Sequence, residues 1–367
     1  MFRFIHAADL HLDSAFGALP PRQAARRRQE SRELAVRLAE YVREHRIDAV
    51  LLAGDLFDSA SAYRDTGEQL ARALGRMPAL VFIAPGNHDW YGPGSPWETV
   101  DWPPNVTIFD QDRITAAEVP DWNAVFHGAA FTGPERRQGF LTGYAAPQDG
   151  RIHMGVLHGE PGGSEARYAP IRREEIAASG FHYLALGHIH KRTEPERLGN
   201  TLYAWSGCLE GRGFDELGEK GFYEGTVSDD GTVEVHFVPF ARHRYEAIQV
   251  DVTGRDPREA VLSALPEHTE QDLYRVTLTG TTGEQGVDLR ALEQALAPRF
   301  DTLELRDGTR LEEDLWQRAG EDSLRGLFLG ELLRQREEAE TDRQRASIDR
   351  AARYGLAALD HRDLSGL

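Results

Sequence analysis

The sequence predicts an α/β fold, on three observations. Apolar runs alternate with helical patterns from Phe2 to about Phe240. Several runs are too continuously apolar to have a solvated face, as in strands buried on both sides. Beyond Pro239 the alternation restarts on a smaller scale and then gives way to helical patterns alone. The chain therefore divides into a large α/β domain over 1–240, a small α+β domain over 241–308 and a helical tail over 309–367.

The strands of the large domain are expected at Phe2–Ala8, Ala49–Ala53, Leu80–Ala84, Ala124–Ala130, Ile152–Leu157 and Tyr183–Leu186. Between the first two, Leu34, Leu38, Tyr41 and Val42 recur at helical spacing while Arg and Glu point elsewhere, which predicts an amphipathic helix. A hairpin follows, Phe222–Val227 and Thr232–Val238 around Ser-Asp-Asp-Gly, whose Asp-Gly is a strong turn signal. In the small domain, strands Ala247–Val252, Leu273–Leu278 and Thr302–Leu305 enclose helices around Pro257–Ala264 and Leu289–Ala297. The tail is apolar at Leu324, Leu327, Phe328 and Leu332, highly charged across Arg334–Arg345, and apolar again at Ile348, Leu356 and Leu359. It reads either as a docking helix pair or as a helix packed on its own protein or left disordered.

Composition narrows the chemistry. A single cysteine, Cys208, excludes a disulfide framework and any Cys-rich zinc site, so metal binding would rest on His, Asp and Asn. The formal charge is −18, and lysine occurs only at Lys191 and Lys220. That balance opposes unassisted DNA binding, which relies on Lys and Arg neutralising phosphates. The one basic run, Arg26-Arg27-Arg28 with Arg22 and Arg32, reads first as a solvated helix face and second as a phosphate contact. The start, MFRFIHAADLHL, lacks a signal peptide's basic and long apolar segments, and no stretch approaches a membrane span. A cytoplasmic protein is expected.

Five motifs follow predicted strands: Asp9-Leu10-His11, Gly54-Asp55, Gly86-Asn87-His88-Asp89, His158-Gly159 and Gly187-His188-Ile189-His190. Strand ends in α/β sheets gather ligands. Residues two apart share a side of an extended backbone, so Asp9 with His11, and His188 with His190, would each converge on one point if the backbone stays extended. Imidazoles, carboxylates and one amide oxygen suit Mn²⁺, Fe²⁺ or Zn²⁺ better than Mg²⁺ or Ca²⁺. Two such ions activate a bridging water for attack on a phosphate ester. Sharing them needs a two-oxygen ligand, for which Asp55 on its tight turn is the candidate. His88 points away from its neighbour Asn87 and so faces the substrate as general acid. A lone Gly-Asp or Gly-His is usually turn chemistry; the strength lies in five motifs in this order.

That order resembles the calcineurin-like metallophosphoesterases over roughly the first 240 residues. The resemblance implies a β-sandwich flanked by helices, with Asp9, His11, Asp55 and His190 on one ion, Asp55, Asn87, His158 and His188 on the other, and His88 catalytic. Ile5-His6-Ala7-Ala8-Asp9-Leu10-His11-Leu12, Gly54-Asp55-Leu56-Phe57-Asp58, and Trp205-Ser206-Gly207 leading through Phe214-Asp215-Glu216 to Lys220-Gly221-Phe222 are similar to the SbcD and YhaO repair nucleases. Asp58 departs from that pattern, where related nucleases often carry histidine. This narrower resemblance implies a capping domain for DNA, a tail that docks an SMC-like coiled-coil ATPase, and a homodimer. The expected function is a Mn²⁺-dependent DNA phosphodiesterase of repair. A small-molecule or cyclic-nucleotide phosphodiesterase on the same centre is the alternative, favoured by the charge, and a non-catalytic scaffold for the ATPase is a third.

Other residues read as structural. His6 is expected in the core, and His45, His153, His182, His236, His243, His268 and His361 as structural or solvated. His127, at a strand end, reads the same way, with a place near the site as the lesser alternative. Cys208 reads as a small buried residue, and Trp90, Trp97 and Trp102 as core packing ahead of a lid or stacking platform.

Overall fold

The computed structural model describes residues 1–359 except 18, 164, 284–285, 312–315 and 317; His361 and the end of the tail lie outside the described residues. The chain forms two compact units, Met1–Arg242 and His243–Leu367.

The first unit contains β1 (Phe2–Ala7), α1 (Pro21–Glu44), β2 (Ala49–Leu52), α2 (Arg64–Gly75), β3 (Leu80–Ile83), α3 (Pro96–Thr99), β4 (Val106–Ile108), β5 (Thr115–Val119), β6 (Ala124–Gly128), β7 (Ile152–His158), α4 (Arg173–Ala178), β8 (Tyr183–Gly187), β9 (Glu196–Leu198), β10 (Thr201–Trp205), β11 (Gly221–Val227) and β12 (Val233–Pro239). These make two six-stranded sheets, in the orders β12-β11-β1-β2-β3-β4 and β5-β6-β7-β8-β10-β9. The apolar runs therefore belong to two packed sheets, a partition that their hydropathy does not express. Between the sheets lie Phe4, Leu51 and Phe82 from one and Phe126, Met154 and Tyr183 from the other, all buried. Phe82 stacks on Phe126 at 3.9 Å between ring centroids. The outer face of the first sheet is covered by α1 and α2, whose Leu34, Leu38, Val42, Leu70 and Leu74 pack on Ile5, Val50 and Val81. This layering is the helix-flanked sandwich expected of the fold class.

The direction of the strands locates the site. In the first sheet β1, β2 and β3 are parallel, and in the second β6, β7 and β8 are parallel. All five motifs stand at or just past the C-terminal ends of these strands.

In the second unit β13 (Tyr245–Asp251), β14 (Leu273–Thr279) and β16 (Thr302–Asp307) form a parallel sheet in the order β13-β14-β16, with α5 (Pro257–Ala264) and α6 (Leu289–Leu296) between them, while β15 (Thr281–Thr282) pairs with β17 (Arg310–Leu311). The small α+β unit is thereby sharpened: its helices and strands alternate, so parallel neighbours are joined by helical crossovers. Asp256 and Asp288 cap the two helices by accepting Glu259 N–H and Ala291 N–H. In the tail, α7 (Leu324–Glu338) and α8 (Asp342–Leu359) bury Leu329, Ala352 and Leu356 with Trp316, while Arg353 of α8 pairs with Asp307 at 3.2 Å. Leu324 and Leu327 are each 70% exposed.

Candidate metal centre

Each ligand loop is held in place by backbone hydrogen bonds from its neighbours. Asp9 N–H donates to Gly54 O and His11 N–H to Asp55 O, both at 3.0 Å, so the loops after β1 and β2 run side by side. The backbone there is not extended. Asp9, His11, Asp55 and His188 have φ of 55°, 45°, 52° and 98°, left-handed values rare for non-glycine residues. The expectation that Asp9 and His11 converge from an extended strand is corrected: β1 ends at Ala7, and two left-handed residues aim the side chains instead. Asp89 braces the third loop, its carboxylate accepting from Gly86 N–H and Leu56 N–H at 2.7 Å and Phe57 N–H at 3.2 Å. Burial, then the charge of Asp55, pushes Asp89 up to about 7.

Three groups of metal-ligating atoms result: Asp9, His11 and His190; Asp55, His158 and His188; and His11, Asp58 and His88. In the first group, His11 Nε2 lies 3.1 Å from His190 Nε2. Behind them, His11 Nδ1 meets Asp58 Oδ1 at 3.0 Å and His190 Nδ1 meets Glu216 Oε1 at 2.6 Å. Carboxylates only accept, so both Nδ1 atoms carry hydrogen, and neutral rings would set two bare Nε2 lone pairs against each other. In the second group, His158 Nδ1–H donates to Ala53 O at 2.8 Å, leaving Nε2 to face Asn87 Oδ1 at 3.0 Å and Asp55 Oδ2 at 3.3 Å. His188 Nδ1 also meets Asn87 Oδ1 at 3.0 Å. Convergent acceptors of this kind need a positive charge among them, and the donor set fits divalent transition ions.

The electrostatics of the cluster agree. Burial alone would lower His158, but the charge and hydrogen bond of Asp55 raise it to about 9. His190 is likewise raised, with Glu216 and Asp9 outweighing burial. Burial favours a neutral Asp55, yet His158, His11 and His88 hold it below the ordinary carboxylate range. The carboxylates of the cluster thus draw positive charge toward it, as a divalent ion would supply.

Asp55 connects the halves. Its Oδ2 is 3.8 Å from His11 Nε2 and 3.3 Å from His158 Nε2, while its Oδ1 accepts His88 N–H at 2.9 Å. The exposed His88 ring holds Nδ1 3.2 Å from Asp58 O and packs edge-on to His11 at 4.9 Å.

The match to known proteins covers the part of this unit that carries all five motifs. Residues 2–192 match the calcineurin-like phosphoesterase family. The chain belongs to that family. Its members use a dinuclear divalent centre, and the chain is accordingly a metal-dependent phosphoesterase by family. The uncharacterized metallophosphoesterase YhaO of Bacillus subtilis (strain 168) is 32% identical over 324 residues, covering 83% of this chain and 74% of its own. The DNA double-strand break repair protein Mre11 of Methanopyrus kandleri is 26% identical over 279 residues, covering 69% of this chain and 60% of its own.

Within the phosphoesterase unit, other residues find structural places. His6 is fully buried, its Nε2–H donating to Leu186 O at 3.1 Å and its Nδ1 2.9 Å from Tyr183 OH. His127 is buried between His153 and Tyr144, each at 2.8 Å. Trp97 is core and stacks on Trp102 at 5.3 Å. Cys208 is buried, which pushes its thiol up. The basic run is largely absorbed by structure: Arg27 is buried on Glu210 at 3.2 Å and Arg32 pairs with Asp13 at 2.8 Å. Site-facing residues that pattern reading did not single out are Arg212 and Glu216, signalled only by their place in the Trp205–Phe222 segment, whereas Asp58 was marked by its departure from the pattern of related nucleases. No helix among the described residues is long and apolar enough to cross a membrane.

Proposed function

We propose that the chain is a two-metal phosphodiesterase acting on DNA, with Asp9, His11, Asp55 and His190 holding one ion and Asp55, Asn87, His158 and His188 the other. The observation that carries this reading is the single Asp55 oxygen facing both acceptor groups. Manganese fits the mixed nitrogen and oxygen donors, with iron or zinc as substitutes. Bound ions would supply a nucleophilic water and neutralise charge building on the phosphoryl oxygens. The protein's own work is positional. Asp89 fixes the loop that presents Asn87 and His88, and Asp55 Oδ1 holds His88 N–H. With Nδ1 engaged by Asp58 O, His88 turns Nε2 outward and protonates the leaving oxygen.

DNA as substrate is supported by the Mre11 relative. The net charge of −18 favours the second reading, a small phosphodiester substrate. A capping role for the second unit and an SMC-like ATPase on α7 and α8 complete the proposal, the latter supported by exposed Leu324 and Leu327. A homodimer is part of the same proposal.

Mn²⁺-dependent cleavage of end-labelled single- and double-stranded DNA, beside bis-p-nitrophenyl phosphate, tests it. DNA cleavage abolished by Asp55→Ala and by His88→Ala is expected. Cleavage of the small diester alone, unchanged by adding the ATPase, would move the substrate to the second reading.

A further inference from the structure

Two of the proposed ligands, His11 and His190, are 179 residues apart, yet one side chain stands behind both. Arg212 Nη1 donates to Asp58 Oδ1 at 3.0 Å, and Arg212 Nη2 donates to Glu216 Oε1 at 2.9 Å. Those same carboxylate oxygens accept His11 Nδ1–H and His190 Nδ1–H. Glu216 is further fixed by Arg212 N–H on Oε2 at 2.7 Å, and Asp58 by its N–H to Leu12 O at 3.0 Å. The carbonyl of His190 accepts from Cys208 N–H at 3.1 Å and Lys220 Nζ at 3.2 Å. Imidazole, carboxylate, guanidinium, carboxylate and imidazole thus form one continuous chain.

The other half is built differently. His158 rests on a neutral carbonyl, Ala53 O, and His188 turns its own Nδ1 toward Asn87. Carboxylates behind a ligating imidazole fix its tautomer and raise its basicity, and losing such partners typically weakens metal binding about 10–100-fold.

We propose that Arg212 is a positioning residue which, by bridging Asp58 and Glu216, locks His11 and His190 with Nε2 toward one ion and makes that half of the centre the tighter of the two. The inference rests on the reading of these histidines as ligands. Only a planar guanidinium spans two carboxylates this way; a lysine keeps the charge and loses the fork. That difference separates orientation from field, since removing the charge alone would favour a cation.

The test is titration of the metal-free full chain with Mn²⁺ by calorimetry, followed by electron paramagnetic resonance. Wild type is expected to bind two ions in unequal steps and to give an exchange-coupled spectrum. R212K should weaken the tighter step about 10–100-fold while the other step stays, so that at limiting Mn²⁺ its ions no longer fill the half that wild type fills first. Wild-type affinity in R212K, loss of both steps together, or tighter binding by R212Q would each overturn the bridge. Should R212K not fold, Asp58→Asn, at a side chain about one-third exposed that touches only His11 of the two, is expected to weaken the same step, and an unchanged step there overturns it equally. A wild type that binds no Mn²⁺ would instead sink the metal centre itself.

Discussion

Asp55 and His88 sit side by side in the centre but should fail differently. Asp55→Ala removes the atom shared by both halves, so Mn²⁺ stoichiometry measured by elemental analysis is expected to fall together with activity. His88→Ala should keep the metal and lose about 10²–10⁴-fold in kcat, the range for a general acid. A His88→Ala variant without metal would contradict that division. Away from the site, His6 makes a pH prediction. Burial, against a partly compensating hydrogen bond to Leu186, lowers it from 6.5 to about 3. Below about pH 6.5 the unfolded chain binds a proton there that the folded chain refuses, so stability present at neutral pH is lost as pH falls toward 3. At roughly 1.4 kcal/mol per unit, metal-free protein should lose about 2 to 3 kcal/mol from this group between pH 6.5 and 4.5. Denaturant midpoints of His6→Gln, which keeps an amide for Tyr183 and Leu186, should fall less over that range. At this scale the motifs were legible because ligand chemistry admits few residue types. Arg212 and Glu216 were not, because a residue behind a ligand is marked by its contacts and not by its type.

The loops after β1, β2 and β3 are where backbone geometry governs chemistry. A Cβ on Gly86 would stand 2.2 Å from Asp55 Oδ1 and 2.6 Å from Asp55 N. Gly86→Ala should therefore displace the shared ligand and cost about 10²-fold in activity, as ångström misplacements do. Wild-type kcat/KM in that variant would refute the steric argument. Four ligand residues with positive φ carry roughly 1–3 kcal/mol of strain each, consistent with a functional loop cluster. Strands of four to seven apolar residues were readable from composition. The helix α2 was not, since its buried face is Leu70 and Leu74 with small Thr66, Gly67 and Ala71, a weak pattern. Short, half-exposed β4 and β5 carry no continuous apolar run, and β10 was read only as part of a motif. The left-handed turns at Asp9 and His11 were invisible because neither is glycine, the residue that advertises such a conformation.

Across the whole molecule, the two units have separate cores, one between the sheets and one around Val276, Leu278 and Leu296. Mn²⁺ at about 100 times its Kd should stabilise the first unit by about 2.7 kcal/mol and leave the second unchanged. Calorimetry in Mn²⁺ and in chelator would show one metal-sensitive transition; an equal shift of the whole profile would argue against a centre confined to residues 1–242. Replacing Leu324 and Leu327 with Glu should abolish association with the proposed ATPase while small-diester hydrolysis persists, because neither side chain is buried. The division after Arg242 falls close to the point beyond Pro239 where the sequence pattern restarts, whereas the assignment of strands to two sheets depends on pairings between distant segments. β1 lies between β2 and β11, with Phe2 paired to Val227. During synthesis, then, β1 keeps one edge open until more than two hundred further residues have emerged. The last proposed ligand, His190, appears only shortly before that edge is closed, so the nascent chain meets its risk of mispairing and its first chance to capture metal within the same interval.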